Sequence, residues 1–177
     1  MAQHAAFLRG MNVGGHRITN GDLRTHLTKM GLREVATFRA SGNVVFDGGS
    51  DSPLKMQEQI EKGLQDALGY AVPTFVRNRD EVLEIAGTKP IEQGSSKGKL
   101  QVGLLAKAPS AKARKAVLAL ESEEDRLDFG KRELYWLPKG PMSDSKLDFK
   151  AIDALLGVMT VRTKGTIEQI ASRYFAA

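Results

Sequence analysis

Arg9-Gly10-Met11-Asn12-Val13-Gly14-Gly15-His16-Arg17 is the stretch of this 177-residue chain whose residue types are best placed to do chemistry. The apolar run Ala5-Ala6-Phe7-Leu8 precedes it and a helical pattern follows it. A strand, a glycine turn and a helix N-terminus in that order can present backbone N–H groups and positive charge to an anion. Arg9, Gly10, Asn12, Gly14, Gly15 and His16 are its candidate ligand-binding residues. The glycines permit positive φ and close backbone approach, and the side chains of Asn12 and His16 add hydrogen-bonding groups. His16 is the nearby side chain whose ordinary pKa suits acid–base work near neutrality. A second segment, Arg39-Ala40-Ser41-Gly42-Asn43, is expected at the same sheet edge and adds Arg39, Ser41, Gly42 and Asn43. The expected ligand is a small anionic or phosphorylated molecule. The glycine spacing matches neither the Walker loop nor the dinucleotide fingerprint, and two tight turns would call for the same glycines.

A second candidate site lies in the C-terminal half. Ser145 and Lys146 stand in the loop that opens a predicted helix, and Arg162, Lys164 and Thr166 join a predicted strand to the last helix. Both loops should lie at one end of a second sheet, with cationic side chains around helix N-termini and a capping box formed by Thr166 and Gln169. Ordinary capping with solvated charge accounts for the same residues.

These segments need a frame to hold them. The first half reads as strand 4–9, helix 20–31, strands 33–39 and 43–47, helix 53–69 and strand 72–77, on apolar periodicity and the stop signals around it. The second half repeats that order: strand 100–106, helix 110–121, strands 125–129 and 133–137, helix 148–156 and strand 158–162, then a last helix over 166–175. The fold class is therefore α+β, two tandem βαββαβ (ferredoxin-like) subdomains with a C-terminal helix. The first subdomain covers 1–77, a connecting helix and flexible linker 78–99, and the second subdomain 100–177. Asn78 and Glu81 resemble a capping box for the connecting helix. Apolar runs mark the first and third strands of each unit as central, and alternation or proline marks the second and fourth as edges. Continuous apolar central strands imply that both sheet faces are covered, the second one by the other unit or by a second molecule in a homodimer.

Composition narrows the function classes. The apolar fraction of 41% and charged fraction of 27% describe a globular chain. With no cysteine, disulfides, thiolate metal sites and a thiol nucleophile are excluded. His4, His16 and His26 lack metal-ligand spacing, so no metal site is expected, and no cofactor is identified. Ala5–Leu8 is too short for a signal-peptide core or a membrane span, and a cytoplasmic setting is expected. Net charge is +5, with 15 basic and 11 acidic residues in 91–177. That imbalance makes a nucleic-acid-binding module using the basic second half one alternative to a small-anion site, and an assembly protein without a ligand is the other. The adjacent pair Tyr135-Trp136 could stack bases, but strand neighbours face opposite ways, so one at most could serve a platform.

Leu8-Arg9-Gly10-Met11-Asn12-Val13-Gly14-Gly15 followed by Ser41-Gly42-Asn43-Val44-Val45-Phe46 resembles the family called domain of unknown function 1697. Arg132-Glu133-Leu134-Tyr135 and Ser145-Lys146-Leu147 continue the likeness in order along the chain. The resemblance implies two α+β subdomains and a largely bacterial family, and it supplies no reaction. Members often carry an Arg-Asn-Trp-Asn-Thr run near the end, where this chain has Arg162-Thr163-Lys164-Gly165-Thr166. The aromatic and both amides are absent at that point.

Overall fold

The computed structural model describes residues 3–12, 14–39 and 42–176. In the first unit, β1 (His4–Leu8), α1 (Asn20–Lys29), β2 (Arg33–Thr37), β3 (Asn43–Asp47), α2 (Pro53–Leu68) and β4 (Thr74–Asn78) are followed by α3 (Arg79–Gly87). The second has β5 (Gln101–Leu105), α4 (Ala111–Leu118), β6 (Asp125–Phe129), β7 (Glu133–Pro138), α5 (Phe149–Leu156) and β8 (Met159–Thr163). It continues into α6 (Lys164–Ile170), which ends in a single π turn, Ala171–Phe175. Each unit builds one four-stranded antiparallel sheet, in the orders β2-β3-β1-β4 and β6-β7-β5-β8. The first and third strands of each unit are central, as their apolar composition requires. By contact pattern the units are residues 1–84 with 170–177, and residues 85–169.

Local chemistry sets the elements. Thr19, Ser52, Ser110 and Asp148 each accept a backbone N–H of the helix they precede, which satisfies a donor that the helix cannot pair internally. Pro53 opens α2, and Gly69 in the left-handed region closes it. Met56, Ile60 and Leu64 form the buried stripe of α2, and each fully buried side chain contributes about 1.5–3 kcal/mol. With Leu23 and Leu27 of α1 they pack on Ala6, Leu8, Val44, Phe46 and Val76 of the sheet. The opposite sheet face is buried too, through Ala5, Phe7, Val45 and Phe75. The second unit repeats the layering, with Val117 and Ile152 of its helices over Leu105, Leu127, Leu134 and Trp136.

Both fourth strands run straight into a helix. The Asn78 amide donates to Glu81 Oε2 and the Glu81 amide to Asn78 Oδ1, each at 2.9 Å, so the expected capping box is present. The corresponding cap in the second unit is Thr163, whose Oγ1 accepts the Thr166 amide at 3.2 Å. This corrects the expected cap at Thr166. The strand persists to Thr163 and the helix begins at the next residue, which leaves Thr166 inside the first turn. Residues 88–100 carry no helix or strand. They are tied to the end of β7, where the Lys97 amide donates to the Lys139 carbonyl at 3.0 Å and Ser96 Oγ to the Pro138 carbonyl at 2.7 Å.

Candidate functional site at the first sheet edge

Antiparallel pairing of β1 with β3 sets Phe7 opposite Asn43, so the end of β1 and the start of β3 meet at one edge. The Leu8 amide donates to the Gly42 carbonyl at 2.9 Å, and Asn20 Nδ2 donates to the Arg39 carbonyl at 3.1 Å. The end of β1 and the start of α1, which flank the Gly-rich loop, are therefore each bonded to the β2–β3 turn. Gly42 has φ +74°, and a Cβ there would stand 3.0 Å from the Leu8 carbonyl oxygen and 3.2 Å from Leu8 Cβ. Positive φ and this close approach to the neighbouring strand both favour glycine there.

The loop is held by its own polar groups. Asn12 Oδ1 accepts the Ile18 amide at 2.8 Å, and the Arg17 guanidinium donates to the carbonyls of Asn12 at 2.9 Å and His16 at 2.8 Å. Tyr70 closes one side: its hydroxyl donates to the Met11 carbonyl at 3.2 Å, and its ring stacks on His16 with centroids 3.7 Å apart. Gly10, Gly14 and Gly15 all have positive φ. A Cβ at Gly14 or Gly15 would meet open space, so these two glycines answer to backbone conformation alone. Both are exposed, and neither amide meets an acceptor among the described residues.

The predicted residues thus divide in two. Asn12 and Asn43 serve the loops themselves. Asn43 is buried, and its Nδ2 donates to the Phe38 carbonyl at 3.1 Å. Arg9, His16 and Arg39 are exposed. Arg39 is one of two described non-glycine residues at positive φ, +59°, and its guanidinium lies over the Phe38 ring, 5.4 Å from the centroid. Ser41 lies outside the described residues. Arg17 and Tyr70 were missed. A lone arginine after a glycine run and a tyrosine 59 residues from its carbonyl partner leave no pattern in the sequence.

The second predicted cluster is drawn into internal contacts. Ser145 Oγ donates to Asp125 Oδ1 at 2.7 Å, and the same oxygen accepts Trp136 Nε1–H at 2.8 Å. Lys164 is buried, with Nζ donating to the Ala86 carbonyl at 2.9 Å and to Glu168 Oε1 at 2.8 Å. Arg162 donates to Thr160 Oγ1 at 2.8 Å and to the Val161 carbonyl at 3.0 Å, and burial lowers its pKa to about 10. Thr166 Oγ1 shares a hydrogen bond with Thr163 Oγ1. Lys146 is exposed. Tyr135 and Trp136 are both buried, so neither offers a ring to a base.

At the opposite edge of the first sheet is a cleft of about 470 Å³, lined among others by His4, Ser52, Asn78 and Arg79. His4 Nδ1 is buried there without a hydrogen-bond partner among the described residues. Burial lowers the His4 pKa below 6.5, against the opposing pull of Asp47 and Glu81. Among the described residues, no helix is long and apolar enough to cross a membrane.

Two βαββαβ units with a Gly-rich edge on the first define an α+β protein of tandem ferredoxin-like architecture. Over residues 1–135 the chain matches the family described as Protein of unknown function (DUF1697), and it belongs to that family. Its fold is similar to that of the conserved bacterial protein SP0830 from Streptococcus pneumoniae. The two are 22% identical over 97% of each chain, with a TM-score of 0.76. No curated protein matches the chain.

Proposed function

We propose that the first sheet edge binds a small anionic or phosphorylated ligand, with the Gly14 and Gly15 amides and the Arg9 and Arg39 side chains as its partners. The observation that carries this reading is Arg39 at φ +59° on a turn bonded to the start of α1, which follows the Gly-rich loop. A side chain in the left-handed region costs on the order of 1 kcal/mol, and strain of this kind gathers at functional sites. Glycine would meet the backbone requirement without that cost. The arginine supplies charge that glycine cannot. Exposed amides in a turn add a second, rigid source of positive potential.

His16 stands beside these amides, held flat on Tyr70. In an acid–base reaction it would be the group that moves the proton. Thermal denaturation with phosphate, nucleotide and carboxylate ligands at millimolar concentration tests the binding reading. A ligand that binds the folded state raises the melting temperature by mass action. No rise with any of them would count against it.

A further inference from the structure

Arg114 ties together two basic segments at one edge of the second unit. Its guanidinium donates to the Gly130 and Lys131 carbonyls at 2.7 Å each and to the Pro109 carbonyl at 3.3 Å, and it lies over the Phe129 ring. Arg132 donates to the Ala106 carbonyl at 3.3 Å, and the Leu105 amide to the Arg132 carbonyl at 2.9 Å. The β5–α4 loop, the start of α4 and the β6–β7 turn are thereby fixed in one place. Residues 106–118 and 129–132 carry six basic side chains and no acidic one. Two acidic residues, Asp128 and Glu133, flank the second stretch. Glu133 is buried, and Asp128 Oδ1 accepts the Phe129 amide at 2.8 Å. Lys107, Lys112, Lys115 and Lys131 are all exposed.

We propose that this edge binds the phosphodiester backbone of nucleic acid. The backbone of these segments is already held in place, so binding has only side chains to order, and lysine point charges suit phosphates spaced along a strand. With Tyr135 and Trp136 buried, the unit presents neither of these rings for stacking. Binding is then through phosphates and is indifferent to sequence. A membrane surface fits less well. Ala108, Ser110 and Ala111, exposed between Lys107 and Lys112, lack the large apolar side chains that enter a bilayer interface, and Leu118 is the one large apolar residue exposed on these two stretches.

Fluorescence anisotropy of the full chain with a labelled duplex DNA and a labelled single-stranded RNA tests this. The unmodified protein should bind at least one of them at low salt. The log of its affinity should fall with log salt by a slope of about −2 or steeper. Lys107→Glu with Lys112→Glu should weaken binding about tenfold or more and flatten the slope by about two. Lys97→Glu with Lys99→Glu makes the same change in net charge away from this edge and should leave binding within about twofold. Unchanged melting temperatures would show that both double variants are folded. No binding at low salt, equal loss in the two double variants, or tighter binding to anionic phospholipid vesicles than to either nucleic acid would overturn the proposal.

Discussion

The Leu8 amide donates to the Gly42 carbonyl at 2.9 Å, and that bond fastens the end of the first strand to the turn between the second and third. A Cβ at Gly42 would crowd Leu8, whereas Gly14 and Gly15 stand in open space. Alanine at these three positions should therefore have unequal effects. Gly14→Ala and Gly15→Ala should each cost about 1 kcal/mol from positive φ alone. Gly42→Ala adds a steric clash and should cost more than either. Urea denaturation measures the order. Equal losses at the three positions would mean that the close approach at Gly42 relaxes freely.

Arg39→Gly separates strain from charge. It relieves a positive-φ side chain and removes the contact over Phe38, so stability should change by no more than about 1 kcal/mol. Anion binding should nevertheless be lost or greatly weakened. A variant that binds phosphate as well as the parent would show that the strained arginine has no part in the site.

Asp125 Oδ1 holds both Trp136 Nε1–H and Ser145 Oγ–H. Asp125→Ala should cost about 2–3 kcal/mol, because the buried indole N–H is left without an acceptor. Ser145→Ala keeps the indole bond and should cost less. Chemical denaturation of the two variants checks the difference, and a shift of the tryptophan emission to longer wavelength in Asp125→Ala would report the disturbed ring.

His4 makes stability depend on pH in a defined direction. Its pKa in the folded chain lies below 6.5, the value expected when unfolded. As pH falls below 6.5 the unfolded chain takes up the proton first, so stability falls with pH until the folded-state pKa is passed. His4→Gln should flatten this part of the curve. The test is melting temperature against pH for both proteins, together with an imidazole titration by NMR. A His4 midpoint at or above 6.5 would contradict the burial argument.

The strands and helices were legible because their signals are periodic. The apolar run Ala5–Leu8, the spacing of Met56, Ile60 and Leu64, and caps such as Ser52 with Pro53 are local patterns. Meeting of the two N-terminal loops followed from topology, since β1 and β3 are neighbours in this strand order. What each polar side chain does was harder to read. Asn12 looks the same whether it faces a ligand or the Ile18 amide, and Asn43 the same whether it is exposed or bonded to the Phe38 carbonyl. Short polar side chains serve nearby backbone as readily as ligands, and only coordinates tell the two apart. Lys164 illustrates the same point for charge. In sequence it belongs to a basic loop, and in the structure it is buried between Ala86 and Glu168.

An amide NMR titration of the isotope-labelled chain with inorganic pyrophosphate addresses the anion site most directly. Saturable shifts of the Gly14 and Gly15 amides and their neighbours are expected. These shifts should be absent from Arg9→Ala and Arg39→Ala proteins that remain folded. Absence of saturable shifts up to about 10 mM ligand, a concentration that would reveal even millimolar affinity, would contradict this site. So would shifts confined to the cleft around His4 or to the Lys107 edge.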